Sequence, residues 1–413
     1  DVMGVCGNGA SYDVQKEADV EQADLLIATT SSDEINILTC LVAKKMGVQH
    51  TIARIRSPEY GRQLRFMRSE LGLSMAINPE AATAREIARV LRFPTAMKLE
   101  SFSKGRLELV EYRVAEHTDL DGTRLSELYR NFKVRVLICA VARQGETIIP
   151  SGDFTLRAGD KIYLTAAPRE LEKFFRLLGV FRARASSVMI VGASKMCYYL
   201  ASELLEMGMS VKIIDQNEQR CVEMSEKLPR ALVIVGDGTD SELLSEEGIS
   251  QTDAFVAITG LDEANILMAL SAAKQSGDCC KVVAKINRKS LLELVSTESL
   301  IDSVVSTGAV TTELILQYIR AMKNASASKV KTLHRIVDEK VEALEFSVTP
   351  DISFAGVPLR DLNLKRGLLL AGIVRQNGQI VIPSGNDVLH LHDDVIVVTT
   401  DTQLEDLRDI LAE

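Results

Sequence analysis

The sequence predicts an α/β chain of two doubly wound parallel-sheet domains, each followed by a small α+β domain, and three observations predict it. Thr30-Ser31-Ser32-Asp33-Glu34-Ile35-Asn36-Ile37-Leu38 returns as Thr259-Gly260-Leu261-Asp262-Glu263-Ala264-Asn265-Ile266-Leu267, at a constant offset of 229 residues. Each copy follows a short apolar run and precedes a segment with the spacing of an amphipathic helix, so strands and helices alternate as in a parallel sheet. Between and after these stretches lie hairpin signals, of which Asn377-Gly378 is the strongest.

The repeat extends along the chain. Gly7-Asn8-Gly9-Ala10 matches Gly236-Asp237-Gly238-Thr239 at the same offset, and Ala53-Arg54-Ile55-Arg56 matches Ala284-Lys285-Ile286-Asn287 at 231, which places a two-residue insertion near Gly277. Ile149-Pro150-Ser151-Gly152 matches Ile382-Pro383-Ser384-Gly385 at 233. The order is therefore large, small, large, small. The expected boundaries are 1–94, 97–180, 186–323 and 332–413, with linkers at 92–95, 182–187 and 323–331.

In the second large domain, strands are expected at 188–191, 211–214, 231–235, 254–258 and 282–286. Helices are expected at 197–207, from 216 to 228, at 241–247, after Thr259, and at 311–322. In the second small domain, strands around Asn377-Gly378 join a strand at 395–399 and a last helix at 404–411. The first small domain repeats this with Gln144-Gly145 at the turn, a strand at 161–165 and a helix at 169–178. The first large domain begins at the equivalent of the third strand. Its counterpart of Gly192 would lie about 37 residues before Asp1 by that offset, so a sheet of this class is expected to lack its opening strands here.

Composition narrows the function. A chain of 413 residues implies two to four domains. A net charge of −9 argues against a broad nucleic-acid footprint and against direct docking on anionic lipid. Seven cysteines show no metal spacing and read as reduced cytosolic thiols. No apolar run approaches the roughly 20 residues that span a bilayer. The expectation is a soluble, cytoplasmic chain.

In an open α/β sheet, a polar loop between a strand end and a helix start lies where ligands bind. A dinucleotide loop needs a glycine at the turn, a second where backbone meets pyrophosphate, and a small residue for helix packing, with an acidic residue further on for ribose. Gly192-Ala193-Ser194-Lys195-Met196-Cys197 keeps the first glycine only, with Asp215 following 23 positions later. Binding and a vestigial structural turn both remain open for it. In the first copy, Ala53 and Ile55 face one way and Arg54 and Arg56 the other. Both faces of a parallel strand are covered, so the arginines need anionic partners: a bound phosphate, Asp33, or a neighbouring subunit's carboxylate. Thr30 and Ser31 offer hydroxyls; Ser31 with Glu34 fits a capping box. No catalytic set and no metal set emerges. His390 and His392 share one face of an expected strand, without a completing ligand.

Taken together, Ala53-Arg54-Ile55-Arg56-Ser57-Pro58-Glu59-Tyr60, the Thr30 loop and both Ile-Pro-Ser-Gly turns resemble the TrkA family, over essentially the whole chain. That resemblance implies Rossmann-like RCK (KTN) domains, each followed by an RCK-C domain, assembling as a homotetramer-like ring. It implies a regulator without catalytic residues, peripheral on the cytoplasmic side of the membrane, which gates a Trk-type potassium channel subunit in response to NAD(H) or ATP/ADP. By resemblance, Gly7 and Asn8 meet the adenosine, and Thr30, Ser31, Arg54 and Arg56 line the rest of the first site. Gly192, Ala193, Ser194, Lys195, Met196 and Asp215, with Gly236, Asp237 and Thr259, form the second. The alternatives are an NAD-dependent oxidoreductase and a nucleotide sensor unrelated to ion transport.

Overall fold

A computed structural model describes residues 3–60, 72–93, 95–181, 184–277, 280–295, 301–323, 330–337, 340–401 and 404–412. Cys279 and parts of the three expected linkers (94, 182–183 and 324–329) lie outside the described residues. The chain divides into two compact units, Asp1–Ala88 with Ser186–Thr311 and Arg89–Ala185 with Thr312–Glu413. Like has gathered with like: the parallel-sheet halves share one unit and the smaller antiparallel halves the other.

In chain order, the first half contributes α1 (Tyr12–Glu17), β1 (Leu25–Ala28), α2 (Asp33–Met46), β2 (His50–Arg54), β3 (Met75–Ile77) and α3 (Pro79–Arg92). The strands are parallel in the order β1-β2-β3, with Ala28 beside Ala53. Helix α2 has acids in its first turn and Lys44-Lys45 in its last, both favourable to the helix dipole, and it stops at Gly47 with φ 114°. Ala53 and Ile55 are buried against Cys40 and Leu73.

Next come β4 (Lys98–Phe102), β5 (Leu107–Arg113), α4 (Leu128–Phe132), β6 (Leu137–Arg143), β7 (Glu146–Ile148), β8 (Lys161–Ala166) and α5 (Pro168–Leu177). The strands form an antiparallel sheet ordered β4-β5-β8-β6-β7. Gln144 and Gly145 take φ 52° and 83° at the β6–β7 turn, as a primed hairpin turn requires.

The second parallel half runs β9 (Ser187–Val191), α6 (Lys195–Glu206), β10 (Ser210–Asp215), α7 (Glu218–Lys227), β11 (Leu232–Val235), α8 (Ser241–Glu246), β12 (Ala254–Ala257), α9 (Asp262–Ser276), β13 (Lys281–Lys285), α10 (Lys289–Val295), β14 (Ser303–Val305) and α11 (Thr307–Lys323). Its six parallel strands lie in the order β11-β10-β9-β12-β13-β14. The order reverses between β9 and β12, the switch point of a doubly wound sheet. Ala257 stands beside Ala284 as Ala28 does beside Ala53.

The last stretch, β15 (Val330–Ile336), β16 (Val341–Ser347), β17 (Leu368–Val374), β18 (Ile380–Val381) and β19 (Asp394–Thr399), repeats the antiparallel order as β15-β16-β19-β17-β18. Both copies carry a bulge at the same place, between Ile138 and Ala140 and between Leu370 and Gly372. The two sheets share one apolar layer, containing Phe102, Leu109 and Tyr163 from one and Ala343, Ile396 and Val398 from the other. Thr165 Oγ1 donates to the carbonyl oxygen of bulged Ala371 at 2.7 Å.

Two expectations are corrected. The helix expected at 404–411 is a short 3-10 turn, Leu407–Ile410, closed by a capping box of Asp406 and Asp409. Its apolar residues, Leu404, Leu407 and Ile410, recur every three positions, which suits three residues per turn. His390 and His392 lie in a turn rather than a strand, and His392 has φ 67°. There His390 Nδ1 meets Arg375, which also pairs with Asp393. That ion pair occupies the place of the bidentate Arg143–Asp160 pair of the first copy.

Among the described residues, Cys40, Cys139, Cys197, Cys221 and Cys280 are buried and Cys6 is exposed. Burial pushes Cys40 and Cys139 up to about 12, so both are unreactive near neutral pH. Among the described residues, no helix is long and apolar enough to cross a membrane.

Candidate nucleotide site

The repeated motif is first a latch. Asn36, fully buried in the first turn of α2, accepts at Oδ1 from Thr30 N (2.7 Å) and Thr30 Oγ1 (2.8 Å). Its Nδ2 donates to Thr30 O (3.2 Å) and across to Arg54 O at the end of β2 (2.8 Å). Asp33 Oδ2 accepts from the amides of Arg56 (2.9 Å) and Ser57 (2.8 Å). The second copy repeats every bond. Asn265 joins Thr259 and the Lys285 carbonyl, and Asp262 accepts from the amides of Asn287 and Arg288 at 2.9 Å each. Thr, Asp and Asn are needed because together they satisfy the backbone of two loops that no ladder reaches.

The helix cap differs from the expected one. Ser32, not Ser31, is the N-cap of α2, its Oγ accepting from Ile35 N at 3.2 Å. The same hydroxyl donates to Glu34 Oε2 (2.6 Å), and Tyr60 donates to Glu34 Oε1 (2.7 Å). These two bonds pull the Glu34 carboxyl down to about 2. Ser31 is left exposed.

What the latch does not use is cationic. Arg54 Nη2 donates to Thr30 O and Arg56 Nη2 to Ser31 O, each at 2.6 Å. The Nε atoms of both are buried without a partner. Asp33 Oδ2 accepts from two backbone amides, and no ion pair joins its carboxylate to either guanidinium. Among the described residues, neither guanidinium has an ion-pair partner. In the second copy, Lys285 stands in the place of Arg54. Burial pushes its ammonium down against the pull of Asp262 and Glu80. Arg288, by contrast, is paired with Glu263.

The glycine loop of the second half meets this latch at the switch point. Gly192 has φ +112°, and a Cβ there would stand 3.0 Å from Thr259 N, so only glycine lets the two loops touch. Ala193 N donates to Asp215 Oδ2 at 2.7 Å, and Ser194 caps α6 by accepting from Cys197 N at 3.4 Å. Ala193 and Met196 are buried, which leaves them backbone to present. Lys195 is exposed beside them. The Ser194 hydroxyl thus occupies the helix terminus where a second glycine would leave room.

An added Cβ at Gly7 or Gly236 would crowd a side chain of the following helix, Val14 at 2.8 Å and Leu243 at 2.5 Å, which would have to shift. Asn8 and Asp237 then close equivalent turns through Ala10 N and Thr239 N. One contact had no sequence signal. Tyr199, on α6, donates to Arg56 O (3.0 Å) and accepts from Asn78 Nδ2 (2.8 Å), tying the helix behind the second loop to the arginine of the first. The partners are 143 positions apart and not related by the repeat.

A switch point with a glycine loop on one strand, an acid ending the next and a polar latch opposite, on a chain that repeats its latch, defines a tandem Rossmann-like chain. Residues 1–79 and 188–307 match the TrkA-N domain, and residues 109–179 and 343–412 match the TrkA-C domain. The Trk system potassium uptake protein TrkA homolog of Archaeoglobus fulgidus is 31% identical over 411 residues, which is 99% of this chain and 90% of that one. Homolog 1 of Methanosarcina mazei is 32% identical over 405 residues, covering 96% and 88%. This chain belongs to the TrkA family. Among solved structures, the GsuK RCK domain has the same fold, with a TM-score of 0.59, 20% identity and coverage of 96% of this chain and 82% of that one. A GsuK channel bound to NAD gives the same score, with 68% of its chain covered.

Proposed function

We propose that this chain is the regulatory subunit of a potassium uptake system, binding NAD(H) or an adenine nucleotide and gating a membrane potassium channel subunit. The observation that carries the reading is the pair Arg54 and Arg56, whose guanidinium groups rest on carbonyl oxygens at the carboxyl end of β2 and, among the described residues, pair with no carboxylate. A phosphate group supplies the missing charge in bidentate geometry. The names of the relatives, Trk system potassium uptake proteins, support the transport role. In this reading Gly7, Asn8, Ser31, Arg54 and Arg56 contact the ligand directly, and Thr30 shapes the loop. The second site, in this reading, uses Lys195, Gly192 and the backbone of residues 193–196, with Asp215 as the acid for ribose.

The chain acts without chemistry, as a two-state ring on the cytoplasmic side of the membrane, held there through its channel partner. The four domains are 1–94, 97–180, 186–323 and 332–413. A nucleotide shifts gating by its different affinity for the two states. The test is thermal stabilisation by NAD, NADH, ADP and ATP, followed by potassium flux through the reconstituted channel. At least one nucleotide should stabilise the chain, and Arg54→Ala should weaken it roughly tenfold or more, the worth of a charge-assisted hydrogen bond. A chain that binds none of the four, or turns over NADH without a channel, sinks the reading.

A further inference from the structure

We propose that Glu100, Glu313 and His334 form a site for one divalent first-row transition-metal ion, buried in the antiparallel unit. The three side chains come from three separate elements, β4, α11 and β15. His334 Nδ1 lies 2.7 Å from Glu313 Oε1 and 2.9 Å from Glu100 Oε2, and one ligand atom from each residue falls within 4.8 Å of the others. Neighbouring ligands around an ion with bonds near 2.1 Å stand about 3.0 Å apart in an octahedron and about 3.4 Å apart in a tetrahedron. The observed separations need only a small outward movement to admit an ion.

The surroundings are those of a closed site. His334 is 8% exposed and Glu100 4%. The Phe102 ring stands edge-on to the imidazole at 5.0 Å. Lys98 holds Glu100 Oε1 at 3.0 Å, which leaves Oε2 facing the imidazole, with Arg89 at 3.8 Å. His334 Nε2 is buried without a partner, so the ring's one engaged nitrogen is the one aimed at the carboxylates. The sheets pair Glu100 with Leu109 and His334 with Ala343, and Leu109 and Ala343 both open a TrkA-C match. Equivalent strand positions of the two copies therefore face each other as carboxylate and imidazole. An imidazole with two carboxylates selects Zn²⁺ or Mn²⁺ over Ca²⁺ or Mg²⁺, which take oxygen ligands.

The competing occupant is a proton on His334 between the two carboxylates. The full chain, stripped by chelator, is titrated with ZnCl₂ and MnCl₂, with CaCl₂ as control, and bound metal per chain is measured after gel filtration. One equivalent of Zn²⁺ or Mn²⁺ and a raised melting temperature are expected. Glu313→Gln, a nearly isosteric change at the most exposed of the three ligands, should weaken binding at least tenfold, as should His334→Asn. His390→Asn, at an exposed histidine, should not. No uptake by the parent chain overturns the proposal and leaves a protonated imidazole only. Uptake unchanged in a folded Glu313→Gln chain overturns it equally.

Discussion

Glu34 shows how much two short bonds change one carboxyl. The Ser32 and Tyr60 hydroxyls donate to its two oxygens and hold it ionised down to about 2. A group with a depressed folded pKa contributes stability above its unfolded value and loses it as pH falls through the folded one. Its contribution should therefore be complete above the ordinary glutamate value of about 4.5 and disappear towards pH 2. A carboxyl titration followed by NMR should find the depressed midpoint, and Tyr60→Phe should raise it. An unchanged midpoint would mean that Tyr60 does not reach the carboxyl. At this scale the sequence was only partly legible. The capping pattern around Glu34 was visible, but the residue that caps was one position later. Tyr60 lies 26 positions away and carried no pattern that pointed to it.

At the scale of elements, the latch is the unit of design. Asn265 is fully buried and makes four hydrogen bonds that join β12, α9 and the end of β13. Asn265→Ala leaves several backbone groups without partners and should cost about 2–4 kcal/mol, since each buried orphan costs about 1–3. Urea denaturation measures this, and Asn36→Ala should behave alike, while also weakening any ligand held by Arg54. A loss below about 0.5 kcal/mol would show that water replaces the amide. Strands and helices were legible because buried parallel strands are apolar throughout and amphipathic helices keep their period. The C-terminal turn was misjudged because Leu404, Leu407 and Ile410 fit a helix of either pitch until the cap at Asp406 is known. The motif itself was read as a ligand loop from its position, yet most of its polar atoms are bonded within the chain.

For the whole molecule, the sequence order large, small, large, small hid a pairing of like with like that no local pattern reports. In the antiparallel unit the pairing is sealed by matching bulges, and the Thr165 hydroxyl satisfies the Ala371 carbonyl across the shared layer. Thr165→Val keeps the shape and leaves that carbonyl unpaired, so it should lower stability by about 1–3 kcal/mol. Thermal and urea unfolding read this directly, and a neutral result would place water at the bulge. In the parallel unit, Tyr199 makes the corresponding join at Arg56.

The latch has a consequence for how such a chain diverges after duplication. Thr, Asp and Asn hold each loop whether or not anything is bound beside it. Selection on folding alone keeps them in both copies. The neighbouring side chains lie outside the latch and differ between the copies: Arg54 and Arg56 reach the carbonyls of Thr30 and Ser31 in one, while Lys285 and Asn287 stand there in the other. One half can lose its ligand entirely without losing its fold.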